Sequence, residues 1–154
     1  MIAYRLAKSK YVEDLSGTGA AMYGGRWNSI GTYILYTSET SALSILENIV
    51  HYDVNEIPDN LNLARIIIPE NSAVLKLESK HLPKNWNSPV LFKELQLFGD
   101  KLIKDKKYLA IRIPSVIAPY ENNLLINPHH GQFSKLKIDS VIPLSIDIRL
   151  KSKI

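Results

Sequence analysis

Apolar positions along this chain of 154 residues follow two periods, one of two residues and one of about 3.6. Residues 2–6 alternate, with Ile2 and Tyr4 on one face and Ala3 and Arg5 on the other, and predict a first strand. Residues 8–15 are polar and predict a loop or short turn. Residues 33–37 are rich in aromatic and branched side chains, which predicts a second strand holding Tyr33 and Tyr36. The run Thr37-Ser38-Glu39-Thr40-Ser41 then offers several helix N-caps. Between residues 39 and 52, Ala42, Ile45, Leu46, Ile49 and Val50 recur at helical spacing and predict a helix that buries this stripe. Glu47 projects well off the centre of that stripe.

Pro58-Asp59-Asn60 reads as a turn. Residues 63–69 predict an interior strand, because three isoleucines run together, and residues 73–77 a shorter one. Residues 83–89 are irregular and contain Trp86. Leu91, Leu95, Phe98 and Leu102 predict a second helix over residues 90–103, with Gly99 inside it costing up to about 1 kcal/mol relative to alanine. Residues 109–113 predict a strand that stops at Pro114, and residues 124–126 a short one. Residues 141–144 and 145–150 predict two closing strands, the last alternating Ile146, Ile148 and Leu150 against Asp147 and Arg149. Strands outnumber helices and do not alternate strictly with them. The expected fold is therefore α+β, a single domain over residues 1–154 with mixed or antiparallel sheets, rather than a doubly wound α/β fold.

Hydrophobic residues make up 45% of the chain and charged residues 22%, so a packed core is expected rather than disorder. No apolar run approaches the roughly 20 residues a membrane-spanning helix needs. The first residues lack the pattern of a secretory signal, and a cytoplasmic location without membrane association is expected. The chain has no cysteine, which excludes disulfides, thiolate metal sites and cysteine nucleophiles. Net charge is +4. That serves solubility, and it also attracts polyanions or phosphate-bearing small molecules. The basic residues of segments 101–107 and 149–153 lack interleaved aromatics and a helix-turn-helix pattern, so they read as solvated surface and direct DNA binding is not expected.

Four of the seven glycines fall between Gly17 and Gly25, which suggests a loop folded around a ligand. Arg26 follows Gly24-Gly25, where a guanidinium can fork onto a phosphate or carboxylate; a loop arginine is more often surface. The segment is not a phosphate-binding P-loop, since no Gly-Lys-Ser/Thr follows. Tyr36 is either a strand aromatic or a ring that stacks on a planar ligand with its hydroxyl free at the rim. Glu47 is either an exposed helical glutamate or a carboxylate facing a cleft, where it stabilises developing positive charge. Ser115, at a strand end, has no nucleophile-elbow sequence around it and reads as a hydrogen-bonding residue. His129-His130 lacks a spaced metal-ligand partner, and no metal is expected.

The ordered set Tyr4-Arg5, Gly17-Thr18-Gly19-Ala20, Gly24-Gly25-Arg26-Trp27-Asn28, Gly31, Leu35-Tyr36-Thr37-Ser38, Leu46-Glu47, Ile113-Pro114-Ser115, Asn122-Asn123 and Ile126-Asn127-Pro128-His129 resembles the RES domain. That family is named for an arginine, a glutamate and a serine, matched here by Arg26, Glu47 and Ser115. The likeness runs from about residue 4 to residue 133. It implies an ADP-ribosyltransferase-like fold and a toxin of a bacterial toxin–antitoxin pair, with an Xre-type helix-turn-helix antitoxin as partner. It implies activity on NAD⁺ as substrate, either degrading it with water or phosphate or transferring ADP-ribose to a protein acceptor. It implies that Arg5 and Arg26 meet phosphates and ribose, that Tyr36 lines the nicotinamide end, that Glu47 is the catalytic carboxylate, and that Ser115 is a hydrogen-bonding site residue. Two features depart from the family's pattern. Gly99-Asp100-Lys101-Leu102 carries Leu102 where tryptophan is expected, and the segment between Asp53 and Leu63 is compact. A basic toxin acting on RNA, motivated by the positive charge, and an inert interaction protein are the competing expectations.

The chemistry is consistent with so few residues. Breaking the nicotinamide–ribose bond expels a neutral leaving group from a cationic ring, through an oxocarbenium-like transition state. One carboxylate can stabilise that charge, and no general acid is required.

Overall fold

The computed structural model describes residues 1–53, 56–90 and 93–151. Its strands are β1 (Ile2–Lys8), β2 (Leu35–Ser38), β3 (Leu61–Ile67), β4 (Val74–Lys76), β5 (Ala110–Pro114), β6 (Asn122–Ile126) and β7 (Lys137–Leu144). They form one 7-stranded sheet in the order β4-β5-β6-β2-β1-β3-β7. β4 and β5 are parallel, and the other neighbours are antiparallel. The helices are α1 (Thr18–Tyr23), α2 (Ser41–Ile49), α3 (Lys93–Lys104) and α4 (Ile148–Lys151). The mixed sheet and non-alternating order are those of the expected α+β class. Among the described residues, no helix is long and apolar enough to cross a membrane.

Strand alternation divides the core between the two faces of the sheet. One face buries Ala3, Leu35, Ala64, Ile66, Leu124 and Ile126, together with Val12 from the loop after β1. On the other face, α3 lays Leu95 and Ile103 on Ile111, Ile113 and Leu125. Beside it, Ile45 and Ile49 of α2 lie on Leu6, Leu61 and Leu63. The pairings Tyr36 with Leu125, Ser38 with Asn123, and Ser38 with Tyr4 place those side chains on this same, helix-covered face.

Several sequence expectations are corrected here. The glycine-rich stretch is not wholly a loop, because Thr18–Tyr23 forms a short helix between Gly17 (φ 72°) and Gly24 (φ 71°). Tyr33 lies outside β2, which begins at Leu35, and its ring sits 5.0 Å from that of His129. The expected last strand over residues 145–150 is absent: β7 ends at Leu144, residues 145–147 are irregular, and α4 begins at Ile148. Asp147 explains this: its carboxylate accepts from the backbone N–H of Arg149 at 2.8 Å, and its carbonyl from that of Leu150 at 2.9 Å. Such local bonds compete with strand pairing. The alternating Ile148 and Leu150 are left exposed. Leu91 and the basic-tail residues Ser152 and Lys153 lie outside the described residues.

The most consequential correction concerns α2. Thr40 caps it, accepting from the Leu43 backbone N–H at 3.1 Å. The residues it buries are Leu43 and Ser44. The expected inward stripe is split: Ile45 and Ile49 pack on the core, whereas Ala42 is exposed, Leu46 39% exposed and Val50 58% exposed. Glu47, one turn after Leu43, therefore lies on the inward side rather than away from it. Polar pins set this rotation. Asn48 donates to the Leu6 carbonyl at 3.1 Å, and Glu47 takes bonds from two other elements.

α3 touches the turn around Trp27 without a side chain between them. A Cβ at Gly99 would lie 1.9 Å from the Trp27 carbonyl oxygen. One residue on, buried Asp100 accepts from the Ser29 backbone N–H at 2.9 Å. Gln96 donates to the Gly25 carbonyl at 3.0 Å. Leu102 packs against the cluster that contains Trp27. Burial raises the Asp100 pKa, but the bonds from Ser29 and Thr32 and the charge of Lys104 outweigh it and hold the carboxyl below its usual range.

Two outcomes follow for stability. Gly99→Ala should cost about 3 kcal/mol or more in urea denaturation, since neither the helix nor the Trp27 backbone can yield a methyl's width cheaply. Because the Asp100 pKa is lower folded than unfolded, its contribution is full above the unfolded value of about 3.9 and is lost as pH falls through the folded one. Asp100→Asn should therefore flatten the acid limb of stability, read as denaturation midpoint against pH.

Candidate active site

β1 and β2 are paired at one position, Tyr4 opposite Ser38. Beyond it, toward the end of β1, lies a cavity of about 80 Å³ lined by Arg5 of β1, Tyr36 of β2, Ile34, Asp14 and residues 17–20. Tyr36 and Arg5 point to opposite faces by alternation, and both reach this space because it occupies the gap between the strands. The cavity is smaller than the roughly 300–1,000 Å³ of ordinary ligand pockets, so it encloses only a fragment of a large ligand. Gly17 shapes its wall: with φ 72° and a would-be Cβ 2.9 Å from the Ile34 backbone, no other residue fits.

Arg5 donates through Nη2 to the Tyr11 carbonyl at 3.2 Å. Its Nε is buried and has no partner among the described residues. Burial pulls the guanidinium pKa below its usual range, and the Asp14 carboxylate partly opposes this. A cation with an unsatisfied donor at a cavity wall is suited to an incoming anion or hydroxyl.

The Tyr36 hydroxyl is already engaged at both ends. It accepts from the Trp27 backbone N–H at 3.0 Å and donates to Asn28 Oδ1 at 2.8 Å. Asn28 is fully buried, and its Nδ2 donates to the carbonyls of Ala20, Ser29 and Thr32 at 2.8, 3.1 and 3.0 Å. Burial pushes the Tyr36 phenol well above its usual range. The sequence reading of a hydroxyl free at the rim is thus corrected. Tyr36 lines the cavity with its hydroxyl already committed to the turn.

Arg26 is not among the cavity's lining residues. Its Nη1 donates to the carbonyls of Trp86 at 3.2 Å and Ser88 at 2.7 Å, tying the turn after α1 to the segment before α3. Among the described residues, its Nε and Nη2 have no hydrogen-bond partner.

Glu47 is half-buried and held by two donors on one oxygen. Ser115 Oγ donates to Oε1 at 2.9 Å, and Asn123 Nδ2 donates to the same atom at 2.5 Å. Ser115 Oγ in turn accepts from the backbone N–H groups of Ile117 and Ala118, both at 3.0 Å. Ser38 Oγ donates to Asn123 Oδ1 at 2.7 Å. Ser38 and Tyr36 lie two residues apart on the same face of β2, about 7 Å along the strand. The carboxylate and the ring are thus carried by one sheet face, with Ser38 and Asn123 linking them.

The fold therefore brings Arg5 and Tyr36 to one cavity and Glu47 and Ser115 to one hydrogen-bonded cluster beside it, with Arg26 on the adjoining turn. The sequence reading assigned no role to Asn28, Ser38, Asn123 or Asp100. The available signal was a pair of asparagines leading an apolar run, for Asn123, and an asparagine next to a buried tryptophan, for Asn28.

A family model described as the RES domain matches residues 2–147. A protein of Photorhabdus laumondii subsp. laumondii named Toxin Res is 40% identical over 153 residues, covering 97% of each chain. A protein of Sphingobium sp. named Prs ADP-ribosylating toxin is 33% identical over 149 residues, covering 96% of this chain and 92% of that one. The fold is similar to that in the crystal structure of the M. tuberculosis MbcT–MbcA toxin–antitoxin complex, with a TM-score of 0.76 over 94% of this chain and 84% of that one. At 18% identity, that likeness is one of fold.

Tyr36→Phe keeps the ring but strands the Trp27 N–H and Asn28 Oδ1. It should lower stability by about 1–3 kcal/mol in urea denaturation. An unchanged midpoint would mean that the hydroxyl is not holding the turn.

Proposed function

The chain belongs to the RES domain family, and on that premise we propose that it is the toxin of a toxin–antitoxin pair that consumes NAD⁺ by cleaving the nicotinamide–ribose bond. The observation carrying this reading is Glu47, turned inward on α2 and fixed by Ser115 and Asn123 on the sheet face that also bears Tyr36.

In the proposed reaction, the bond between C1′ of the ribose and the pyridinium nitrogen breaks. Its electron pair leaves with nicotinamide and quenches the ring's charge. The ribose C1′ takes on oxocarbenium character, and the Glu47 carboxylate stabilises that charge in a partly dry site, where such interactions outweigh their value in water. An acceptor then attacks C1′; when it is water, a proton is released to solvent. Arg5 meets a phosphate or ribose oxygen through its unpaired Nε, so a fragment of the dinucleotide fills the cavity and the rest lies along the open face. Arg26, with donors to spare beside the two it commits, meets another phosphate oxygen. The Tyr36 ring packs against the substrate, while its hydroxyl keeps the turn at Trp27 in place. No general acid is needed, because nicotinamide leaves without protonation.

Growth arrest would follow from NAD⁺ depletion, and the partner would be an Xre-type helix-turn-helix antitoxin in the cytoplasm. A second reading has the same bond cleavage with a protein as acceptor of the ADP-ribosyl group. The name of the Sphingobium relative favours it.

The test follows nicotinamide release from NAD⁺ in water and in phosphate. Glu47→Gln keeps an acceptor for Ser115 and Asn123 but removes the charge, so kcat should fall about 10²–10³-fold with the melting temperature little changed. Absence of release from the wild type with water, phosphate and cell protein as acceptors would remove the reading, as would full activity in Glu47→Gln.

A further inference from the structure

We infer that Asn123 is a positioning residue for Glu47, which with Ser115 holds Oε1 so that Oε2 is the oxygen turned to the substrate. The inference rests on the reading of Glu47 as the catalytic carboxylate. Asn123 lies on β6, an interior strand, opposite Ser38 on one side and Ile113 on the other. Its backbone is thus held by two neighbours, and both ends of its amide are engaged.

The direction of every bond in this cluster is determined. A carboxylate only accepts, so the end of the Asn123 amide that faces it must be Nδ2. Oδ1 then faces Ser38, whose hydroxyl proton must point to it. Ser115 Oγ already accepts from the N–H groups of Ile117 and Ala118, so its own proton goes to Glu47. Both donors fall on Oε1, and no described residue donates to Oε2. The terminal torsion of a glutamate is otherwise broad and two-fold. Two donors from different elements on one oxygen fix the plane of the carboxylate as well as its place.

A purely architectural role does not call for an asparagine here. Asparagine is depleted in strands, and an apolar residue would pack this half-buried position without needing partners. Local choices that work against the fold concentrate at functional sites.

Kinetics of nicotinamide release, with thermal denaturation alongside, test this. Asn123→Ala should lower kcat about tenfold to a hundredfold through lost orientation. KM for NAD⁺ should stay within about threefold, since substrate binding is not what is lost. Asn123→Asp keeps the shape but puts an acceptor against an acceptor, and should fall at least as far as Asn123→Ala. A space-filling role would instead leave Asn123→Asp close to wild type. That result overturns the inference, as does an Asn123→Ala enzyme with wild-type kcat or with a change in KM alone. If Asn123→Ala does not fold, Ser38→Ala decides: it removes the tether on Oδ1 and loosens the amide, and kcat should drop several-fold, whereas an unchanged kcat refutes the role. If the wild type releases no nicotinamide, the NAD⁺ reading has failed and growth arrest becomes the readout. A folded Asn123→Ala protein that no longer arrests growth upholds the positioning role for whatever reaction Glu47 performs; one as toxic as wild type ends it.

Discussion

A glutamate on the inner side of a helix needs partners, because a carboxylate withdrawn from water and left unpaired destabilises the fold by several kcal/mol. The protein meets that constraint at Glu47 with two donors brought from distant parts of the chain. Ser115 comes from the end of β5 and Asn123 from β6, 68 and 76 residues away in sequence. The inward placement of Glu47 on α2, the exposure of Ala42, Leu46 and Val50 and the presence of Asn123 inside the sheet go with it. So does the tight turn after β5, whose N–H groups point the Ser115 proton toward the carboxylate.

Around this fixed point, the fold leaves one place where regular pairing stops. β1 pairs with β3 along its whole length but with β2 at one position only. The gap gives Arg5 and the Tyr36 ring access to a common space. Gly17 and the start of α1 form part of the wall, and the turn that follows α1 is held by α3 through Gly99 and Asp100, and from within by Asn28 and the Tyr36 hydroxyl. Tyr36 thereby joins fold and site: its polar end holds the turn at Trp27 and Asn28, and the residue lines the cavity. The Arg26 bonds to Trp86 and Ser88 tie the same turn to the segment before α3.

The sequence made most of the strands and α3 legible, because their burial is apolar and alternation or helical spacing records it. It also pointed to Arg5, Tyr36, Glu47 and Ser115 as residues worth watching. It disclosed only part of the inward face of α2, through Ile45 and Ile49. A hydrophobic stripe marks the whole buried side only when burial is apolar, and here Glu47 and Asn48 turn inward through hydrogen bonds beside Leu43, Ile45 and Ile49. The end of the chain misled for a similar reason: the alternation of Ile146, Ile148 and Leu150 was genuine, but Asp147 offered the backbone local bonds that a strand would have had to forgo. The roles of Asn28 and Asn123 were invisible because each depends on which carbonyls, hydroxyls and carboxylates the folded chain brings within reach. The tolerance of Gly99 in a helix became intelligible only once the Trp27 carbonyl was found against it.

The central claim is that Glu47 faces the bond that breaks. Its most direct test is a crystal structure of the Glu47→Gln protein soaked with NAD⁺, which leaves the substrate intact. The account predicts the nicotinamide ribose beside the carboxamide at position 47, with the ring of Tyr36 against the substrate and Arg5 on a phosphate or ribose oxygen. A dinucleotide bound on another face of the sheet, or with its ribose out of reach of residue 47, would contradict it.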